Sequence, residues 1–182
     1  MVVVGAGPAG LSAANTLARL GGRVTVFDEH DEPGGTMRYA VAEFRLPLEA
    51  LLTDIRTILG RGVHFSGGRK FGRDISFESL RDDGFDAVLL CVGSCEPLRL
   101  PGAGGEEEGF FDALSFLARA KEGKPVRLRG RVVVIGGGNV AIDSARVALR
   151  LGAADVTVAC LESGETMPAF RWEIEEAEAE GV

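Results

Sequence analysis

Two apolar runs, each followed by a glycine cluster, stand out in the hydrophobic pattern of this chain. Val2-Val3-Val4 leads into Gly5-Ala6-Gly7-Pro8-Ala9-Gly10, and Val132-Val133-Val134-Ile135 leads into Gly136-Gly137-Gly138-Asn139-Val140-Ala141. Short runs of β-branched residues are typical of buried parallel strands. Apolar residues at helical spacing follow both glycine clusters, so the pattern predicts strand, glycine loop and helix twice.

Further apolar runs complete the predicted elements. Val24–Phe27 and 156–160 each predict the second strand of a unit, and Val63–Phe65 predicts a short strand. A helix over 48–59 is expected after Pro47, which suits a first helical turn. The run 86–93 predicts another buried strand that ends in glycine.

The repeat predicts the domain organisation of the 182 residues. We expect an α/β fold with two Rossmann-like dinucleotide-binding units. The first unit spans residues 1–105, a connecting segment spans 106–129, and the second unit spans 130–182. The second unit carries only the opening strands of such a domain, so it is expected to be truncated.

The spacing of the glycines fits the binding of a pyrophosphate. Gly5 permits a tight turn, Gly7 lets backbone approach the phosphates, and Gly10 lets the helix pack close to the strand. The N–H groups and the dipole at a helix start favour negative charge. Ala141 takes the place of the third glycine in the second cluster, which is a known variant.

Charge and composition exclude several other classes of function. The net charge of -7 argues against nucleic acid as the main partner, and no apolar run has the length of a membrane span. The first residues lack the basic region of a signal peptide. Cys91 and Cys160 are expected to be buried and unpaired, as in a reducing compartment, which indicates a cytoplasmic protein. His30 and His64 show no ligand spacing, so no metal site is predicted.

Several motifs together resemble one family of flavoproteins. The chain resembles the small (beta) subunit of glutamate synthase and its relatives, which have two dinucleotide-binding domains. The residues that carry the resemblance are Gly5–Gly10, 34–39, 44–46, 86–93, Pro101-Gly102, Gly136–Asp143 and Met167-Pro168-Ala169.

The resemblance implies that the first unit binds FAD and that the second binds NAD(P)H. Hydride would pass from the reduced nicotinamide to the flavin, and the electrons would pass to an iron-sulfur protein or a larger catalytic subunit. The cofactors carry this chemistry, so no catalytic acid, base or nucleophile is assigned. The implied FAD-binding residues are Gly5, Gly7, Pro8, Ala9, Gly10, Asp28, Glu29, Gly34, Gly35, Met37, Arg38 and Gly93. The implied nicotinamide-nucleotide residues are Gly136, Gly138, Asn139, Val140, Asp143 and Glu162.

Two carboxylates at strand ends are candidates for binding ribose. Asp28 ends the second strand of the first unit, 18 residues after Gly10, where a carboxylate can accept hydrogen bonds from ribose hydroxyls. In the second unit Glu162 lies two residues beyond the corresponding position. NADPH-using relatives carry two arginines where this chain has Leu161 and Glu162, so NADH is the expected nucleotide. In the alternative interpretation Glu162 is only solvated and Arg171 contacts a 2′-phosphate.

Two other functions are compatible with the sequence. A thioredoxin-reductase-like disulfide reductase needs a redox dithiol, for which the chain offers only Cys91-x-x-x-Cys95. A non-catalytic nucleotide-binding subunit would bind without turnover. Flavin absorption bands that bleach with NADH distinguish the oxidoreductase from such a scaffold. The family commonly has Gly and Pro near Ala40 and Ala42, so the loop beside the flavin is expected to differ.

Overall fold

The computed structural model describes residues 1–94, 96–97, 109–124, 126, 128, 130–163 and 166–182. These residues belong to two compact units, Met1–Cys95 and Glu96–Val182. The turn predicted at Pro101-Gly102 and the thiol of Cys95 lie outside the described residues. The predicted domain limits at residues 105 and 130 stay a prediction, because residue 105 is also outside them.

The first unit contains a parallel sheet of four strands in the order β3-β2-β1-β4. Val3 lies between Val26 and Leu89 in the register of the sheet. The elements of the unit are β1 Val2–Val4, α1 Pro8–Arg19, β2 Thr25–Phe27, α2 Thr36–Tyr39, α3 Leu48–Leu59, β3 His64–Ser66, α4 Phe77–Asp82 and β4 Val88–Leu90.

Both faces of β1 are covered, which explains its unbroken run of valines. Side chains alternate between the two faces of a strand. Val3 packs with Ala14 and Val26 on one face, whereas Val2 and Val4 pack with Leu80 and its neighbours on the other. The three valines are between 0% and 3% exposed. β1 is therefore the centre of the core of this unit.

The second unit is built on two parallel strands. Val133 pairs with Thr157 in their register. The elements of this unit are α5 Ala113–Lys121, β5 Arg131–Ile135, α6 Asn139–Arg150, β6 Asp155–Ala159 and α7 Arg171–Glu180. The strand, glycine loop, helix and strand predicted for this half are confirmed.

The expectation that β4 and β5 are fully buried is wrong for this structure. Leu90 is 47% exposed, and Val133 and Ile135 are 62% and 63% exposed. Among the described strands, β4 lies at the edge of its sheet and β5 pairs only with β6, so each leaves apolar side chains uncovered. Cys91 and Cys160 are free thiols as expected, but both are half-buried rather than buried.

Ion pairs hold α7 against α6. Arg146 is 6% exposed, and its guanidinium donates to Glu180 Oε1 at 3.0 Å and to Glu176 Oε2 at 2.6 Å. Arg150 Nη2 donates to Glu180 Oε1 at 2.7 Å. Beneath these pairs, Ile142 of α6 packs with apolar residues of α7. Two arginines of α6 therefore share one carboxylate of α7.

We expect the contribution of Glu180 to stability to depend on pH. Hydrogen bonds from Arg146 and Arg150 lower the pKa of the Glu180 carboxyl from 4.5 to about 2. Because the pKa is lower in the folded state, this stabilisation is complete above pH 4.5 and is lost as the pH falls towards 2. In urea unfolding, Glu180→Gln is therefore expected to lose most stability relative to wild type near neutral pH. The difference should shrink on acidification.

Glu178→Gln, on the same helix, is the matched control and should show a much smaller difference from wild type at neutral pH. A stability difference between wild type and Glu180→Gln that stays constant from neutral pH to about pH 3 would contradict the assignment of Glu180.

Candidate functional site

The first glycine loop brings α1 into direct contact with the end of β1. Gly5 has a φ of +105° and donates its N–H to the Phe27 carbonyl at 2.7 Å. A Cβ built on Gly10 would lie 1.8 Å from the Gly5 carbonyl oxygen. Only glycine at position 10 allows the helix to start this close to the strand.

Asp28 directly follows β2, and its carboxylate is hydrogen-bonded to the backbone of the glycine loop. Its Oδ2 accepts the Ala6 N–H at 2.6 Å, and its Oδ1 accepts the His30 N–H at 2.9 Å. The ring nitrogen Nδ1 of His30 lies 3.0 Å from the same Oδ1. Asp28 is 8% exposed. The residue predicted to bind ribose therefore also organises the loop, through partners that the sequence pattern did not indicate.

A second glycine segment closes over the first. The Gly34 N–H donates to the Ala6 carbonyl at 2.9 Å. Gly35 has a φ of +54°, and a Cβ on it would lie 2.6 Å from the Gly7 Cα. This contact places the predicted flavin-side residues Gly34 and Gly35 directly against the loop.

Room remains in front of α1 for a ligand. Of the atoms that the structure describes, a Cβ on Gly7 would meet only the Gly35 Cα within 4 Å, at 3.9 Å. Among the described residues, no side chain caps the N-terminus of α1. Pro8 and Ala9, in its first turn, are exposed. An anionic group fits this position because the helix start offers N–H groups and a favourable dipole.

The remaining predicted residues of the first unit lie around this loop or on neighbouring elements. Glu29 Oε2 accepts a hydrogen bond from Lys70 Nζ at 2.7 Å. Arg38 Nη1 donates to the Pro33 carbonyl at 3.3 Å. Met37 packs with the cluster of Leu11, Leu51 and Ile55 between α1 and α3. Gly93 follows β4 and is exposed, with a φ of +75°.

The glycine loop of the second unit makes the same strand-end hydrogen bond as the first loop and leaves more room around its glycines. The Gly136 N–H donates to the Ala159 carbonyl at 2.8 Å. Ala141 stands where the first unit has Gly10, and even a Cβ on Gly136 would lie at an ordinary contact distance of 3.7 Å from the Ala141 Cβ. Within the described part of the chain, a Cβ on Gly138 would meet no atom within 4 Å. The described residues provide no side-chain cap for α6 either, so this helix start also fits a phosphate group.

The segment before α7 is tied to this second loop. The Ala169 N–H donates to the Gly137 carbonyl at 3.0 Å, and the Phe170 N–H donates to Asn139 Oδ1 at 2.9 Å. The side-chain oxygen of Asn139, a predicted nucleotide-binding residue, therefore binds the protein backbone. Phe170 was not predicted, and the neighbouring Met167-Pro168-Ala169 motif was its only signal in the sequence.

Glu162 also borders Gly137. Its Oε2 is 3.3 Å from the place where a Cβ on Gly137 would lie, and its carbonyl accepts the Cys160 thiol at 3.3 Å. Glu162 is exposed. Val140 is exposed in the first turn of α6, and Asp143 is half-buried one turn further on. The carboxylate that was predicted to face a ribose therefore borders the glycine loop.

Metal-ligand clusters and membrane-spanning helices are both absent from the parts of the chain that the structure describes. Those residues contain no group of three or more His, Cys, Asp or Glu side chains placed to hold a metal ion. Among their helices, none combines the length and apolar composition needed to cross a membrane.

Comparison with known families identifies the group to which these two units belong. Residues 1–181 match the family described as pyridine nucleotide-disulphide oxidoreductase. The chain belongs to the pyridine nucleotide-disulphide oxidoreductase family. The family match and the parallel sheet together confirm the α/β nucleotide-binding fold.

Curated relatives in this oxidoreductase family are longer than the chain. It is 40% identical to the NADP(+)-dependent formate dehydrogenase subunit beta of Moorella thermoacetica, over 100% of this chain and 26% of the relative. It is 35% identical to the glutamate synthase [NADPH] small chain of Escherichia coli, over 100% of this chain and 41% of the relative. The resemblance to the glutamate synthase small subunit is confirmed. The chain spans less than half the length of these proteins.

Solved structures of oxidoreductases have the same fold. FprA of Mycobacterium tuberculosis, in complex with NADPH, superposes with a TM-score of 0.82 at 21% identity, over 98% of this chain and 46% of that protein. Thioredoxin reductase of Lactococcus lactis superposes with a TM-score of 0.66 at 22% identity, over 96% of this chain and 59% of that protein. These similarities show that the family fold extends across nearly the whole chain.

We expect Asp28→Ala to destabilise the protein by about 2 kcal/mol, because the buried Ala6 N–H loses a charged acceptor. Asp28→Asn keeps an oxygen acceptor and should lose less. Urea unfolding of both variants measures the difference. Asp54→Ala, at an exposed position of α3, is the control and should stay within about 0.5 kcal/mol of wild type. Equal stability of Asp28→Ala and wild type would show that the loop does not depend on this carboxylate.

Proposed function

We propose that the chain is the FAD- and nicotinamide-nucleotide-binding part of an oxidoreductase that transfers hydride between NAD(P)H and FAD. The observation that carries the proposal is the presence of two glycine loops, each at an open helix start after a parallel strand. Membership of the pyridine nucleotide-disulphide oxidoreductase family supports the reaction class. FAD, when bound, supplies the ring that accepts the hydride.

The first unit is proposed to bind FAD. Gly5, Gly7 and Gly10 leave the N-terminus of α1 free to hold the pyrophosphate, and the dipole of α1 favours its charge. A carboxylate has about four acceptor positions. Three are used at Asp28 by the N–H of Ala6 and by the N–H and ring nitrogen of His30. The remaining position is proposed to accept a ribose hydroxyl.

The second unit is proposed to bind NADH. Gly136 and Gly138 surround the helix start that holds its pyrophosphate, and Glu162 borders the loop where the adenosine ribose is expected. A carboxylate can accept from a 2′-hydroxyl, whereas it repels a 2′-phosphate. The alternative phosphate ligand, Arg171, donates to Glu175 Oε1 at 2.9 Å. The relatives named above carry NADP(+) or NADPH in their names, so NADH preference would distinguish this chain from them.

The electron acceptor is proposed to be an iron-sulfur protein or a larger catalytic subunit in the cytoplasm. Two relatives are named as beta subunits, of a formate dehydrogenase and of the NADPH-Fe(3+) oxidoreductase of Geobacter sulfurreducens, which is 39% identical over 28% of that relative. The free thiols of Cys91 and Cys160 are consistent with a reducing compartment.

A valine substitution in each glycine loop should abolish binding of one nucleotide and leave binding of the other unchanged. Gly7→Val places a branched side chain where the FAD pyrophosphate passes, and Gly138→Val does the same for the nicotinamide nucleotide. Both positions have negative φ and open space, so folding should persist. Gly7→Val should lose bound flavin, measured by absorbance after gel filtration, and should keep NADH binding. Gly138→Val should keep flavin and lose NADH binding.

Each variant is the control for the other, and circular dichroism checks that both are folded. Stoichiometric flavin in folded Gly7→Val would overturn the FAD assignment. Flavin loss from both variants would show that the two loops do not serve separate nucleotides.

Nucleotide preference should depend on the charge at residue 162. Wild type is expected to bind NADH at least about fivefold more tightly than NADPH, because repulsion between a carboxylate and a phosphate costs on the order of 1 kcal/mol or more. Glu162→Gln should reduce that ratio, and Glu162→Arg should reverse it. Fluorescence titration with each nucleotide gives the two dissociation constants, with Glu178→Gln as the distant control. A wild-type preference for NADPH would refute the role given to Glu162.

A further inference from the structure

Two exposed aromatic residues lie at the start of α7, next to the segment that is hydrogen-bonded to the second glycine loop, and the function proposed above does not use them. Phe170 and Trp172 are 58% and 52% exposed. Their planes are inclined by only 9°, and their centroids are 6.3 Å apart. Exposed, nearly parallel rings are suited to stacking against a planar ligand.

The glycine loop itself fixes the position of Phe170. The Phe170 N–H donates to Asn139 Oδ1 at the first residue of α6, and the preceding N–H, of Ala169, donates to the Gly137 carbonyl. Ala169 is 6% exposed and packs against Ile142 of the same helix. The aromatic pair is therefore attached to the helix start that is proposed to hold a pyrophosphate, on a buried and hydrogen-bonded support.

The connection from β6 to α7 identifies which half of the nucleotide the rings would meet. In parallel α/β units the adenosine ribose lies at the end of the second strand. Here that strand is β6, and Cys160 and Glu162 at its end border Gly137. Since Phe170 follows on the same connection and its backbone binds the same loop, this connection borders the adenosine half of the proposed site.

We propose that Phe170 and Trp172 form a stacking surface for the adenine ring of the nicotinamide nucleotide. This inference rests on the proposed nucleotide site of the second unit and adds a binding contact to it. Stacking on aromatic side chains accepts any planar base and needs no hydrogen-bond partner on the ring. Asn139 then acts as a positioning residue, because its side chain holds the backbone that presents Phe170.

Trp172 is the only tryptophan of the chain and reports binding at this position. With FAD added first to fill the first unit, titration with 5′-AMP should quench its fluorescence to saturation. Nicotinamide mononucleotide should have no effect at the same concentrations. Phe170→Ala keeps the backbone N–H that binds Asn139 and should raise the dissociation constant of 5′-AMP about tenfold. Phe77→Ala, an aromatic residue of the first unit that is also 52% exposed, is the matched control and should change nothing.

Calorimetry with Trp172→Ala supplies a second measurement that does not need the fluorophore, and binding of 5′-AMP should again be about tenfold weaker. Equal affinity of wild type and folded Phe170→Ala for 5′-AMP would overturn the stacking surface and leave the proposed function intact. Quenching by nicotinamide mononucleotide that depends on Phe170 would overturn the assignment to adenine. If wild type binds neither 5′-AMP nor NADH, the proposed nucleotide site is overturned together with this inference.

Discussion

The close approach of α1 to β1 is the constraint on which the first unit depends. No Cβ fits between Gly10 and the Gly5 carbonyl, so the helix begins directly at the end of a strand that is buried on both faces. This closeness points the helix start at the carboxyl edge of the sheet, where ligands of parallel sheets bind. Asp28 then fixes the loop between the two elements through the Ala6 N–H.

In the second unit the helix also begins at the end of a strand, but its glycine loop is less tightly packed and is held by more contacts from neighbouring segments. Ala141 fits where the first unit needs glycine, and a Cβ on Gly138 would have no described atom within 4 Å. In place of a buried aspartate at the strand end, the loop is bordered by Glu162 and hydrogen-bonded to the segment before α7. The helix that follows this segment, α7, is held against α6 by the two arginines that bind Glu180. The two repeats therefore share a plan and differ in which neighbouring element stabilises the loop.

The regular elements with strong hydrophobic patterns were predictable. The helix over 48–59 was predicted with its observed limits, because its apolar stripe is regular and Pro47 precedes it. α7 was not predicted, since its sequence is rich in glutamate and its apolar residues are too few for a clear stripe. The exposure of β4 and β5 was predicted wrongly, because an apolar run gives no information on how many neighbours a strand has.

The candidate site was predictable only in part. Glycine spacing located both loops, because each glycine answers a local steric need that the sequence displays. The partners of Asp28 and Asn139 were not predictable, since Asp28 meets Ala6, 22 residues away, and Asn139 meets Phe170, 31 residues away. Such contacts depend on tertiary placement, which spacing along the chain does not encode.

The contact between Gly35 and Gly7 also limits how this sequence can evolve. A side chain at residue 35 would collide with the backbone of residue 7 rather than with a side chain. No substitution at position 7 can make room for it, because glycine already has no side chain to remove. A substitution of Gly35 therefore cannot be compensated by a mutation at residue 7. Descendants of this chain are expected to inherit both glycine segments together or to rebuild the whole loop.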